Sequence, residues 1–232
     1  MLFCIPYPGA GASVYHQWPR RIGDVEVCPV QLPGRENRIR EPSATDYRPL
    51  VTEMLAEIAT VPDGRPFAFI GHCGTAFIGY EAVLQLVEAG GPLPTRLITS
   101  SMVPPHRAAW PDILRASDEQ ITAQVGALLQ ARGGGTMPAE LLEMAKGLMS
   151  ADVHAYRAYD RTEPRTLPCP ITVIGWRGDE LVPADQVFGW ELFGDTKEIV
   201  LDGDHWSYLS APAALLEVVR EAMAGSATSR RG

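Results

Sequence analysis

Pro66-Phe67-Ala68-Phe69-Ile70-Gly71-His72-Cys73-Gly74-Thr75-Ala76-Phe77-Ile78-Gly79-Tyr80-Glu81 is the stretch on which the reading of this chain turns. Its first half is an apolar run of strand length, and its second half carries apolar residues at helical spacing. Between them lies a turn of small residues centred on Cys73. A strand that enters a helix through so tight a bend lifts the side chain at the bend above the sheet. Gly71 leaves room for the turn, and the backbone N–H of Gly74 can face negative charge that develops next to position 73. The head of the following helix favours anions, and therefore thiolate. Gly-x-Cys alone would describe many structural cysteines; its place between this strand and this helix makes it a candidate nucleophile.

Outward from this segment, short apolar runs alternate with longer helical patterns, which predicts an α/β fold with a mostly parallel central sheet flanked by helices. Strands are expected at Leu2–Pro6, Val25–Gln31, Phe67–Gly71, Arg96–Ser100, Ile171–Gly175 and Lys197–Leu201. Helices are expected at Tyr47–Ala59, Ala76–Ala89 and Ala213–Ala224. From about Pro104 to Tyr159 the alternation stops. Helical segments are predicted there around Asp118–Gln130 and Ala139–Met149, separated by Gly133-Gly134-Gly135, with Ser117 as N-cap of the first. Residues 104–159 therefore read as a helical lid over the C-terminal edge of the sheet, where open α/β sheets bind ligands. Extra surface helices would be the plainer alternative. Residues 1–225 are expected to form one domain, followed by a disordered tail at 226–232.

Composition narrows the function classes. Of 232 residues, 46% are hydrophobic and 21% charged, the balance of an ordinary globular protein. The net charge of −8 argues against nonspecific nucleic-acid binding, which needs a basic footprint. No apolar run approaches the roughly 20 residues of a membrane span, and the first residues lack the features of a signal peptide. A cytoplasmic location and a monomer are expected. Cys4, Cys28, Cys73 and Cys169 are scattered without paired spacing, so neither a disulfide framework nor a metal site is expected. No motif suggests a cofactor.

A nucleophilic thiolate needs a base, and the base needs an orienting acid. His205 lies in Leu201-Asp202-Gly203-Asp204-His205-Trp206, directly after the last expected strand. Asp179 follows the strand at Ile171–Gly175, with Asp202, Asp204 and Glu180 as rivals for its role. The order nucleophile, acid, histidine is that of α/β-hydrolases. His16, His106 and His154 are expected at the surface or in a pocket lining, and His72 in packing.

Several motifs together resemble the stand-alone type II thioesterases of nonribosomal peptide and polyketide synthesis. Pro6-Tyr7-Pro8-Gly9-Ala10-Gly11-Ala12-Ser13 with Trp18 is similar to that family's N-terminal oxyanion loop. Gln31-Leu32-Pro33-Gly34-Arg35-Glu36 matches its next-strand signature, and Gly71 through Glu81 resembles its nucleophile elbow. Gly175–Asp179 and Gly203–His205 match the acid and histidine blocks. Cysteine at the nucleophile, Thr75 at the second glycine, and Pro8 depart from the usual pattern. Proline has no N–H, so Gly9 or Ala10 must supply the oxyanion donor that complements Gly74. The resemblance implies an α/β-hydrolase fold and, as substrate, an acyl or aminoacyl thioester on a carrier protein's phosphopantetheine arm. Tyr7, His106 and Trp206 are candidates for contact with that substrate.

Cysteine in place of serine changes the expected chemistry. The acyl-enzyme is then itself a thioester, so loading from pantetheine is near-isoenergetic and reversible. Hydrolysis is the first expectation, transfer to another thiol or an amine the second, and a non-catalytic carrier-docking protein the third.

Overall fold

The computed structural model describes residues 1–59, 65–107, 117, 119, 120, 123 and 138–224. Among these, strands β1 (Leu2–Ile5), β2 (Arg21–Ile22), β3 (Val25–Pro29), β4 (Ala68–His72), β5 (Arg96–Ser100), β6 (Ile171–Trp176) and β7 (Thr196–Leu201) form one sheet. Their order is β2-β3-β1-β4-β5-β6-β7. Every pairing is parallel except β2 with β3. The helices are α1 (Tyr47–Ile58), α2 (Ala76–Glu88), α3 (Ala139–Ala158) and α4 (Ala213–Ala224). The fold is that of an α/β-hydrolase, as expected.

Strands β1, β4, β5 and β6 are buried almost throughout because both faces of the sheet are covered. Phe3, Ile5, Phe69, Leu97, Ile171 and Val173 join one core with residues of α1 and α2. Their neighbours Leu2, Cys4, Ala68, Ile70, Ile98 and Ile174 belong to the opposite core, with Tyr15, Trp18, Tyr208 and the Leu215 and Val219 face of α4. This is period-two alternation written in two apolar alphabets. α1 begins where Asp46 accepts a hydrogen bond from the Arg48 N–H at 2.8 Å, an N-cap.

Parallel strands align their C-terminal ends along one edge. The loops after β1, β4, β5, β6 and β7 therefore gather there, and they carry the Tyr7–Ala10 turn, Cys73, Ser101, Asp179 and His205. In the stretch expected as a lid, Ser117 Oγ accepts from the Gln120 N–H at 3.3 Å, and the Gln120 side chain accepts from the Ser117 N–H at 2.7 Å. This is the expected cap. Most of the helix expected at Asp118–Gln130, the triglycine and the tail at 226–232 lie outside the described residues. α3 runs nine residues beyond its expected end at Met149. No helix among the described residues is long and apolar enough to cross a membrane.

Candidate active site

Cys73 stands at the β4–α2 turn with φ +58°, a left-handed conformation that costs a residue with a Cβ. A Cβ on Gly71 would lie 2.6 Å from the Ala76 Cα and 2.9 Å from its N, so only glycine lets the chain fold back so closely. Thr75 fits at the departing position because its hydroxyl donates to the His72 carbonyl at 3.0 Å inside the turn. Cys73 is buried, with 8% of its surface exposed, and belongs to neither of the two apolar clusters.

His205 enters from the loop after β7. Asp204 fixes that loop by accepting from the N–H groups of Trp206 and Ser207 at 3.0 and 2.9 Å, while Ser207 Oγ accepts from the Asp204 N–H. Asp202 pairs with Arg177 at the surface, and Glu180 is exposed. Asp179 is the acid that reaches the histidine: its Oδ2 lies 2.8 Å from His205 Nδ1. The same oxygen accepts from Ser101 Oγ at 2.7 Å, and Oδ1 accepts from the N–H groups of Leu181 and Val182 at 2.9 and 2.8 Å. Burial alone would raise the Asp179 carboxyl, but these donors and the His205 charge hold it below the usual carboxylate range. The acid and histidine loops are joined by Gly178 N–H donating to the Gly203 carbonyl at 2.8 Å.

The other face of His205 meets Cys73. Burial pushes the imidazole down; the hydrogen bond to Asp179 and the neighbouring Cys73 sulfur override it and raise the ring to about 9. The structure thus brings Cys73, His205 and Asp179 side by side, with a hydrogen bond between the acid and the ring.

His72 packs, as expected, but in a defined way. It stacks on Tyr208 at 4.4 Å, its Nδ1 lies 2.9 Å from Ser100 Oγ, and its ring centre is 4.6 Å from that of His205. Burial first, then the nearby His205 charge, keeps it neutral far below the usual histidine range.

The loop after β1 is a type II turn, with Pro8 at its second position and Gly9 at its third (φ +79°), closed by Ala10 N–H to the Tyr7 carbonyl at 3.0 Å. Its Gly9 N–H donates to Asp152 Oδ2 of α3 at 2.6 Å. The expectation that Gly9 or Ala10 supplies an oxyanion donor meets both N–H groups already engaged, that of Gly9 by a buried carboxylate and that of Ala10 by the Tyr7 carbonyl. Arg35 completes the arrangement with a buried bidentate pair to Asp152 at 2.9 and 3.0 Å, and with a hydrogen bond to the Ala10 carbonyl at 2.9 Å. Gln31 accepts from the Ala12 N–H, and Glu36 from the Ser13 hydroxyl. The hexapeptide Gln31–Glu36 thus knits the turn in place.

Tyr7 and Trp206 meet edge to face at 5.7 Å and wall an open groove of about 650 Å³ that continues past Ser13 and His16; Cys73, Asp179 and His205 are not among its lining residues. His106 is not brought to that groove. It lies exposed in a short turn after β5, stacked on Phe193 at 5.7 Å, because Pro105–Arg107 folds over the β6–β7 connection. His154 is exposed on α3.

Fold and site together define a hydrolase of the α/β class. The model of the thioesterase domain family matches residues 1–221, and the chain belongs to that family of thioester hydrolases. It is 31% identical to the medium-chain S-acyl fatty acid synthase thioesterase of Homo sapiens, over 91% of this chain and 82% of that one. To the gramicidin S biosynthesis protein GrsT of Aneurinibacillus migulanus it is 29% identical, over 93% and 86%. The crystal structure of ClbQ, from the colibactin nonribosomal peptide and polyketide pathway, superposes with a TM-score of 0.84 at 26% identity, covering 98% of each chain.

Proposed function

We propose that this chain cleaves acyl or aminoacyl thioesters on the phosphopantetheine arms of carrier proteins in nonribosomal peptide or polyketide synthesis, through a covalent Cys73 intermediate. The observation that carries this reading is Cys73 at a left-handed strand–helix turn beside His205, whose ring Asp179 holds by a 2.8 Å hydrogen bond. The similarity to GrsT and ClbQ supports the biosynthetic setting.

The Cys73 thiolate attacks the carbonyl carbon, and the C–S bond to pantetheine breaks. The departing sulfur takes the proton from the His205 imidazolium. Water then attacks the Cys73 thioester; His205 accepts its proton, and the Cys73 thiolate leaves with the acid released. The Gly74 N–H faces the developing oxyanion in both steps.

A second reading shares the first half-reaction. A cysteine thioester retains the group-transfer potential that a serine ester would lose, so a second carrier's thiol, or an amine, can replace water. Incubation with an acyl-loaded carrier and an empty one, followed by intact mass, separates the two. Free acid with an empty second carrier supports hydrolysis, and acyl mass on the second carrier supports transfer. A Cys73 adduct is expected in either case and should vanish in Cys73→Ala. Carrier binding with neither adduct nor deacylation would leave a docking protein and overturn the proposal.

A further inference from the structure

Asp152 is a buried carboxylate that the reaction just described does not use, and one face of α3 approaches both the Tyr7–Ala10 turn and Gly74, the residue after the nucleophile. Asp152 holds the Gly9 N–H at 2.6 Å, and the Met149 methyl would lie 2.7 Å from a Cβ at Gly9. One helical turn on, the Tyr156 ring would lie 3.3 Å from a Cβ at Gly74, and the Pro8 ring 3.5 Å from the same point. Residues 149, 152 and 156 recur at the three- and four-residue spacing that lines one helix face. The Tyr7–Ala10 turn and the Cys73–Gly74 elbow are thus gauged against the same stretch of α3. Arg35 locks that stretch by its bidentate pair with Asp152 and its bond to the Ala10 carbonyl.

We infer that Asp152, held by Arg35, is a positioning residue: its hydrogen bond to Gly9 sets how the Tyr7–Ala10 turn stands over Cys73 for attack on a thioester carbonyl. The inference rests on the proposed Cys73 chemistry. A buried carboxylate accepting from a backbone N–H fixes direction as well as distance, and a carbonyl placed ångströms away from its stabilising groups reacts far more slowly. The glycine at position 9 follows from the same contact. Its φ of +79° strains any residue with a Cβ, and a Cβ there would have to displace the Met149 methyl.

The test separates the Gly9 bond from the ion pair. Removing both charges together leaves neither buried ion unpaired. Arg35→Met with Asp152→Asn keeps an oxygen that can accept from Gly9, whereas Arg35→Met with Asp152→Leu removes it at nearly the same volume. Two rates are read for each protein: Cys73 acylation by an acyl-loaded carrier, and Cys73 alkylation by iodoacetamide, which builds no oxyanion. The Leu double variant should acylate about 10²-fold more slowly than the Asn double variant. Alkylation should agree among all three proteins within about threefold, because Cys73 and His205 themselves are untouched.

Equal acylation by the two double variants would overturn the inference. So would parallel losses of acylation and alkylation in the Leu variant, since the pair would then hold the nucleophile or the fold rather than the turn. A wild-type protein that is alkylated at Cys73 but never acylated would instead remove the proposed function, and this inference with it.

Discussion

Ser101 donates to the same Asp179 oxygen that faces the His205 ring, at 2.7 Å against 2.8 Å for the histidine. Ser101 directly follows β5 as Cys73 directly follows β4, and both take the left-handed conformation, with φ +48° and +58°. The acid is therefore aimed from two sides, by a hydroxyl from the next strand and by two amides of its own loop. Ser101→Ala should leave the carboxylate three donors, cost about 1.5–3 kcal/mol of stability, and slow acylation about tenfold. Asp179→Asn removes the charge that selects the histidine tautomer and should slow acylation by about 10²–10⁴-fold. Urea unfolding and single-turnover acylation measure both; equal losses in the two variants would contradict the division of roles.

The His205 ring, raised to about 9, fixes a pH dependence. Its folded value lies above the ordinary unfolded value of about 6.5. The stabilisation from its proton is thus fully present below about 6.5 and is lost as pH rises through about 9. Acylation needs that proton for the departing pantetheine sulfur, so its rate should fall on the alkaline side near pH 9. In Cys73→Ser the thiolate that helps to raise His205 is gone, and the ring must be neutral to act as base. The rate of that variant should instead rise with pH through a lower midpoint. Identical profiles for the two proteins would rule out the ion-pair description.

Left-handed backbone at Cys73 carries a stability cost that the site retains for geometry. Cys73→Gly should be more stable than Cys73→Ala by roughly 1 kcal/mol, since both lose the thiol but only glycine relieves the strain. For a chain of this size that corresponds to a Tm about 2–4 °C higher. Thermal unfolding of the two variants side by side reads it directly.

Gly71→Ala places a methyl against backbone rather than against a yielding side chain. The elbow would have to open, at about 1–3 kcal/mol and with loss of the Cys73–His205 contact. Lower stability together with slower alkylation of Cys73 is the expected pair of results.

Much of this architecture could be read from local pattern. The five long central strands and α2 announce themselves because both sheet faces are buried, so the apolar runs are unbroken between turn residues. β2 escaped notice because a two-residue antiparallel edge has no period to detect. The end of α3 was hidden by function-like chemistry: Asp152 lies buried on its inner face, and a charged residue there breaks the apolar repeat. Cys73, Asp179 and His205 were legible because each follows its own strand closely. Ser101 was not, since a serine at a strand end looks like any turn residue. The Arg35–Asp152 pair was invisible for a different reason. Its members lie 117 positions apart, and nothing in either segment names the other.

The contacts of α3 bear on how such proteins could be re-engineered. Exchanging residues 104–159 wholesale for the equivalent stretch of a relative, to change the acyl groups accepted, would also exchange the carboxylate bound to Gly9 and the ring against Gly74. A chimera joined ahead of Met149 keeps the host's own final turns of the helix and exchanges only the residues before them. Junctions placed after Tyr156 would couple every change of selectivity to a change in the reaction centre.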